Sequence, residues 1–180
     1  MSELQHAVLA FAGMRHATPA TEAAAPPLIQ RASAESAAGA YLIERAREKN
    51  AAFMCGDMQR WLGLVRIAPD FTLMMPFGGP PSHGYDTSQA RMAERSRYFQ
   101  NGKTELEVVQ TCVSDRIAVL VMIERQRAEV GGLPEQDWSL HVTEVYRKDG
   151  SEWELAHRHA DPLVRSITLE QAAALARGTP

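Results

Sequence analysis

The chain has 180 residues, 19 basic and 22 acidic, for a net charge of −3. That length suits one domain with a real core and an added arm. Near-balanced charge leaves no electrostatic footprint for nucleic acid, and no Lys/Arg run marks a membrane surface, so neither partner is expected.

Cys55 and Cys112 are the only cysteines, too few for a disulfide framework, and their apolar neighbours read as a setting for buried, inert thiols. The opening Met-Ser-Glu-Leu-Gln-His lacks a basic signal-peptide start, and no apolar run approaches a membrane span. A cytoplasmic location is the expectation.

In chain order, residues 4–14 suit a short amphipathic turn or two, and 16–27 an Ala/Thr/Pro-rich linker. Together residues 1–31 read as an arm, for which a partner subunit is the candidate docking place. Ser33 is a candidate N-cap for a long helix on which Tyr41, Leu42, Arg45, Lys49, Ala52 and Phe53 recur at helical spacing. Gly56-Asp57 breaks it, and Asp57 caps a second helix carrying Trp61, Leu62, Leu64 and Val65. Residues 71–75 form a strand closed by Pro76, and Gly78-Gly79-Pro80-Pro81 must be a loop. Asp86 or Thr87 caps a third helix that Asn101-Gly102 terminates.

From Thr104 the apolar period changes from helical to alternating. Strands at 105–113 and 116–129 are joined through Ser114-Asp115. With that loop, Leu106, Val108, Gln110 and Cys112 share a face with Ile117, Val119, Val121 and Ile123. The opposite face holds Val109, Ala118, Leu120 and Met122, and with helices on the first face a second subunit is its natural cover, giving a homodimer.

A further hairpin joins Trp138–Arg147 to a strand ending at Asp161, with Asp149-Gly150 as its turn. This register sets Tyr146 against Trp153, Glu144 against Leu155, Val142 against His157 and Leu140 against His159. Arg158 falls on the solvent side. Thr168 caps a last helix from Leu169 to Arg177. The sum is an α+β chain: a curved, mostly antiparallel sheet wrapped over about three helices, with an N-terminal arm (1–31), a domain (32–165) and a helical tail (166–180).

The spacing Gly56-Asp57, Trp61, Leu64, Pro69-Asp70-Phe71, Pro76-Phe77-Gly78-Gly79, Gly84, and the ending Lys148-Asp149-Gly150-Ser151, Trp153, His157-Arg158-His159-Ala160-Asp161, resemble the SnoaL-like branch of the nuclear transport factor 2-like superfamily. The likeness spans roughly residues 33–165. It implies an α+β cone whose sheet wraps a deep pocket closed by the first helix, usually in a dimer. Members include steroid isomerases, polyketide cyclases, dehydratases and non-catalytic association or transport domains, so fold alone does not give function. Where the steroid isomerases carry a catalytic aspartate and tyrosine, this chain has Met75 and Lys49. The polyketide cyclases are nearer, because Asp161 with His157 or His159 could play their acid/base parts.

On its own residues, the 153–161 stretch puts Trp153, Leu155, His157, His159 and Asp161 on one face. His157 or His159 is then a candidate base, with Glu144 or Asp161 orienting it, for proton transfer next to a carbonyl. A structural reading, in which both histidines tie sheet to helix, stands beside it. A metal held by His157 and His159 with Glu144, Asp161 or His83 ranks below both. Tyr41, Trp61, Met75, Phe77, His83, Trp138 and Trp153 are the candidate pocket walls, around a small, largely apolar organic ligand. No organic cofactor is expected, since no Gly-rich cradle follows a strand and opens a helix. The competing function is a non-catalytic binding or association module.

Overall fold

The computed structural model describes residues 28–178, so the expectations for 4–14 and the 16–27 linker lie outside the described residues. A 27-residue helix, α1 (Leu28–Met54), precedes a short α2 (Met58–Leu64). Then come β1 (Ile67–Met74), the two-residue β2 (Ser82–His83) and α3 (Gln89–Tyr98). Five strands follow: β3 (Phe99–Val113), β4 (Ile117–Val130), β5 (Leu133–Asp137), β6 (Leu140–Asp149) and β7 (Glu152–Pro162). The exposed α4 (Leu169–Ala176) ends the described chain. None of these helices is long and apolar enough to cross a membrane.

Several local expectations hold for the reasons given. The Asp57 carboxylate caps α2 by accepting from the Arg60 N–H at 3.0 Å. Thr168 and Gln171 form a reciprocal capping box at the start of α4. Others shift. The long helix already runs through Ser33, so that residue is not its cap, and Ser88 rather than Asp86 or Thr87 caps α3. Asn101 does adopt a left-handed φ of 56°. It does so inside β3, where the register slips between Gln100 and Lys103, because α3 passes directly into the strand at Phe99. Pro69 lies within β1, in the stretch where pairing with β7 breaks between Ile67 and Thr72.

The sheet order is β2-β1-β7-β6-β4-β3, with β5 beside β4; β1 and β7 run parallel and every other pair antiparallel. Leu42 and Ala46 of α1 pack on Ala118, Leu120, Met122 and Val142. A second cluster joins Ala52, Met58, Trp61 and Met92. The covered face of β4 is therefore the one expected to need a second subunit. Its other face, with Val119, Val121 and Ile123, is the outer one.

That inversion has a defined cause. The first hairpin turns one residue later than expected, pairing Val113 with Ala118, which by itself keeps every side chain on its face. A bulge then takes up Val109, so Val108 pairs with Met122 and Leu106 with Glu124. Leu106 thus joins the core, and Val109 points outward, 56% exposed. Cys112 lies on the outer face opposite Val119, and Cys55 follows the end of α1; both thiols are exposed, contrary to expectation.

Candidate functional site

The second hairpin repeats the pattern with larger consequences. It also turns one place late, so Asp149 pairs with Glu152, Lys148 with Trp153 and Tyr146 with Leu155. Between Tyr146 and Val145 the register slips by one residue at Ala156. Beyond it His157 pairs with Val145, Arg158 with Glu144, His159 with Thr143 and Asp161 with His141. Since side chains alternate faces, the extra residue sends His157, His159 and Asp161 outward and turns Arg158 inward.

Arg158 meets two carboxylates, Glu124 and Glu144, and through Glu144 it joins Lys49 and Tyr146 in one network. Its guanidinium forks onto Glu124, Nη1 to Oε1 at 3.0 Å and Nη2 to Oε2 at 2.7 Å. It also donates from Nη1 to Glu144 Oε1 at 2.8 Å. Lys49 of α1 donates from Nζ to the same Glu144 oxygen at 2.6 Å and to Tyr146 Oη at 3.0 Å. Tyr146 Oη in turn donates to Glu144 Oε2 at 2.6 Å. Glu144 is completely buried and Glu124 is 2% exposed. Two cations and two carboxylates close a neutral network, the arrangement that makes buried charge tolerable.

The network shifts its members' protonation. Burial alone would raise the Glu144 carboxyl, but Lys49 and Arg158, with hydrogen bonds from Lys49 and Tyr146, hold it down to about 2. Burial pulls the Lys49 ammonium below its usual value and Arg158 adds to that, while Glu144 opposes it. Burial and then the Glu144 charge push the Tyr146 phenol well up. At neutral pH Glu144 is therefore too weak a base to take a proton efficiently. The available protons sit on Lys49 and Tyr146.

Above the network lies a cavity in two joined parts. The inner chamber, about 110 Å³, is lined by Lys49, Glu144, Trp61, Ile67, Phe71 and Leu155, among others. The outer part, about 380 Å³, opens past Met75, Phe77, Phe99, Trp138 and Leu140. Asn50, Phe53, Leu73, Tyr85, Glu124 and Arg158 border both. The walls are aromatic and interlocked: Phe53 lies 4.6 Å from Phe99 between ring centroids, Trp61 5.2 Å from Tyr85, and Phe77 meets Trp138 edge-on at 6.1 Å. On α3, Arg95 lies 4.1 Å over the Tyr85 ring.

Of the expected pocket walls, Trp61, Met75, Phe77 and Trp138 line this cavity. Tyr41 and Trp153 border a separate shallow depression with Arg45 and Arg66. His83 is exposed on edge strand β2, opposite Thr72. Of the four proposed acid/base residues, only Glu144 reaches the cavity, and its partners are not histidines. His157 Nδ1 shares a 2.6 Å hydrogen bond with Thr72 Oγ1, and Asp161 lies 3.4 Å from His141 Nδ1 on the outer face. His159 lines an outer groove of about 300 Å³ with His141, Asp161, Val109 and Val121. With Glu144 on the opposite side of the sheet from the histidines, the mixed ligand set imagined for a metal is divided between two faces. Among the described residues no group of three such side chains converges.

Arg158, Glu124, Tyr146, Asn50 and Tyr85 were not among the expected site residues, and Lys49 stood only in the stripe of α1 and as a departure from the steroid isomerases. One signal was present: Glu124 follows Ala118, Leu120 and Met122 on the apolar alternation of β4, and Lys49 stands in the apolar stripe of α1. Opposite charges on two faces that both must be buried are expected to meet.

No family profile matches the chain, and no curated protein does either. Solved structures do. A nuclear transport factor 2-like superfamily protein from Salmonella enterica superposes with a TM-score of 0.57 at 16% identity, covering 75% of this chain and 97% of its own. The S. rosetta CaMKII hub matches at 0.55 and 20%, over 69% and 95%. A candidate dehydratase of the nuclear transport factor 2-like family from Streptomyces avermitilis matches at 0.52 and 21%, over 68% and 96%. At these identities the likeness is one of fold: the chain has the nuclear transport factor 2-like α+β cone.

Proposed function

We propose that this chain is a small-molecule-binding cone protein of the SnoaL-like type, taking a largely apolar organic molecule between α1, α3 and the inner face of the sheet. The observation that carries it is the joined cavity, apolar along its walls and closed at its depth by a satisfied ion network, the make-up of ligand sites generally. Any proton transfer inside the cone, in an isomerisation, cyclisation or dehydration, falls to Lys49 and Tyr146. The outer-face residues His157, His159 and Asp161 have no part in it. N-phenyl-1-naphthylamine, an uncharged fluorescent probe, is expected to bind saturably at one per chain. Leu73→Trp, which fills the boundary between the two chambers, is expected to abolish that signal with the circular dichroism unchanged. No saturable binding, or binding indifferent to Leu73→Trp, sinks the reading.

Self-association is favoured by a different observation. The outer sheet face exposes Val109 and Ile117 beside the half-buried Val119, Val121 and Ile123, an apolar strip with no covering element among the described residues. One of the similar folds is a CaMKII hub. A second copy of this chain, outer face to outer face, is the proposed cover and gives a homodimer. Sedimentation equilibrium should show a dimer that Val109→Asp converts to a monomer with unchanged secondary structure. A wild-type chain that stays monomeric at high micromolar concentration removes this reading.

A further inference from the structure

The cavity also specifies the polarity of what fills it. Its charges already answer one another: Arg158 is held by Glu124 and Glu144, and Lys49 by Glu144. At the mouth Arg91 pairs with Glu94, while Arg95 donates to the Asp86 carbonyl at 2.7 Å and lies over Tyr85. An anion placed deep in the cone would face the carboxyl groups of Glu124 and Glu144 and find each guanidinium engaged.

Two uncharged groups are not answered. Asn50 Nδ2 and Gln126 Oε1 are closed to water and have no hydrogen-bond partner among the described residues. Both residues are nine-tenths or more buried, and both border the outer chamber. Gln126 Nε2 donates to the Trp138 carbonyl at 3.0 Å, which fixes its amide so that the unmet atom is the acceptor. A buried donor and a buried acceptor without partners are uncommon in native proteins and point to a missing complement. The Asn50 amide torsion is soft, so a small rotation presents its donor to a molecule seated in the cavity, while the Gln126 acceptor, held in place by Trp138, borders the same chamber. Around them stand Phe53, Tyr85, Phe99 and Trp138, surfaces suited to a flat ring system.

Resting on the small-molecule reading above, we infer that the ligand is an uncharged ring compound whose polar end both accepts and donates a hydrogen bond: an alcohol, a phenol or a lactam, rather than a carboxylate or phosphate. Its acceptor meets Asn50 and its donor meets Gln126. Nothing in the ion network has to open to admit it.

Isothermal titration of the full chain with four matched probes tests this: 2-naphthol, 2-quinolone, 2-methylnaphthalene and 2-naphthoate. The phenol and the lactam should bind about 10-fold or more tighter than the hydrocarbon and the carboxylate. Asn50→Leu and Gln126→Leu should each narrow that preference; Asn50→Leu should leave the Tm unchanged or higher because an unmet polar group is removed, while Gln126→Leu also gives up the bond to Trp138 and is read by the preference alone. A structural role for Asn50 would instead lower the Tm, and for either amide it would leave the preference intact. Equal binding of 2-methylnaphthalene, or tightest binding of 2-naphthoate, overturns the inference yet leaves the cavity a binding site. If none of the four binds, the small-molecule reading itself has failed.

Discussion

Glu144→Gln should cost this protein about 3–5 kcal/mol of stability, the range for breaking a buried ion pair from one side. The carboxylate has no access to water, and it accepts from Lys49, Arg158 and Tyr146 at once. An amide there leaves Lys49 without its carboxylate and strips Arg158 of one of its two anions. Urea unfolding at pH 7 reads the loss directly. The double variant Lys49→Met, Glu144→Gln should recover half or more of it, since no ammonium is then stranded, the amide oxygen accepts from Arg158 in the Oε1 position, and the amide N–H can donate to Tyr146 Oη. Two losses that simply add would show that Lys49 and Glu144 do not act as a pair.

The same carboxylate sets an acid limb. Its folded pKa lies at about 2 against an ordinary 4.5, so the unfolded chain takes up the proton first as pH falls. The stabilisation is complete above pH 4.5 and is lost progressively between about 4.5 and 2, amounting to roughly 3 kcal/mol. In Glu144→Gln the pH–stability curve should be shallower over that range, with the lowered carboxyls of Asp70, Asp86 and Asp137 keeping the remaining slope. An unchanged slope between pH 4.5 and 2 in the variant would place the acid sensitivity elsewhere.

The elements were legible because their signals are local. Asp57 and Thr168 cap helices through their own side chains, and the change of apolar period at Thr104 marks the strands whatever they pair with. Late turns in both hairpins did little harm, since moving a two-residue turn by one place moves every partner by two and preserves the face. Bulges were the illegible part. Val109 follows another valine and Ala156 sits between Leu155 and His157, and neither carries a glycine or proline to announce an extra residue. One such insertion before His157 exchanged His157, His159 and Asp161 for Arg158, converting an apparent histidine pocket into an ion network. Glu144 was found on its correct, buried face; only its partners were misread. The walls at Trp61 and Trp138 were recoverable because large aromatics tend to be buried whichever way a strand slips, whereas Phe77, at the cavity mouth, stays 62% exposed.

Gly56→Ala should be comparably severe, on the order of 3 kcal/mol or more. Gly56 has φ +74°, and a Cβ there would stand 2.5 Å from both the Phe99 and the Ser96 carbonyl oxygens. Those are backbone atoms, one at the start of β3 and the other in α3, so neither can step aside cheaply. The Gly56 carbonyl is itself fixed by Ser96 Oγ at 2.6 Å, and its N–H reaches back to Phe53 O at 3.0 Å. This one residue therefore sets how the end of α1 meets the α3–β3 junction, and Phe53 and Phe99, the cavity walls on either side, depend on it. Gly63→Ala is the matched control: it lies in α2 with open space around its Cβ position, and should be neutral or stabilising by up to about 1 kcal/mol. Paired urea titrations separate the two, and N-phenyl-1-naphthylamine binding to whatever folded Gly56→Ala remains should be weakened as Phe53 and Phe99 part. A Gly56→Ala protein within about 1 kcal/mol of the parent, with its probe affinity intact, would show that this junction yields and that the cavity is not held open by it.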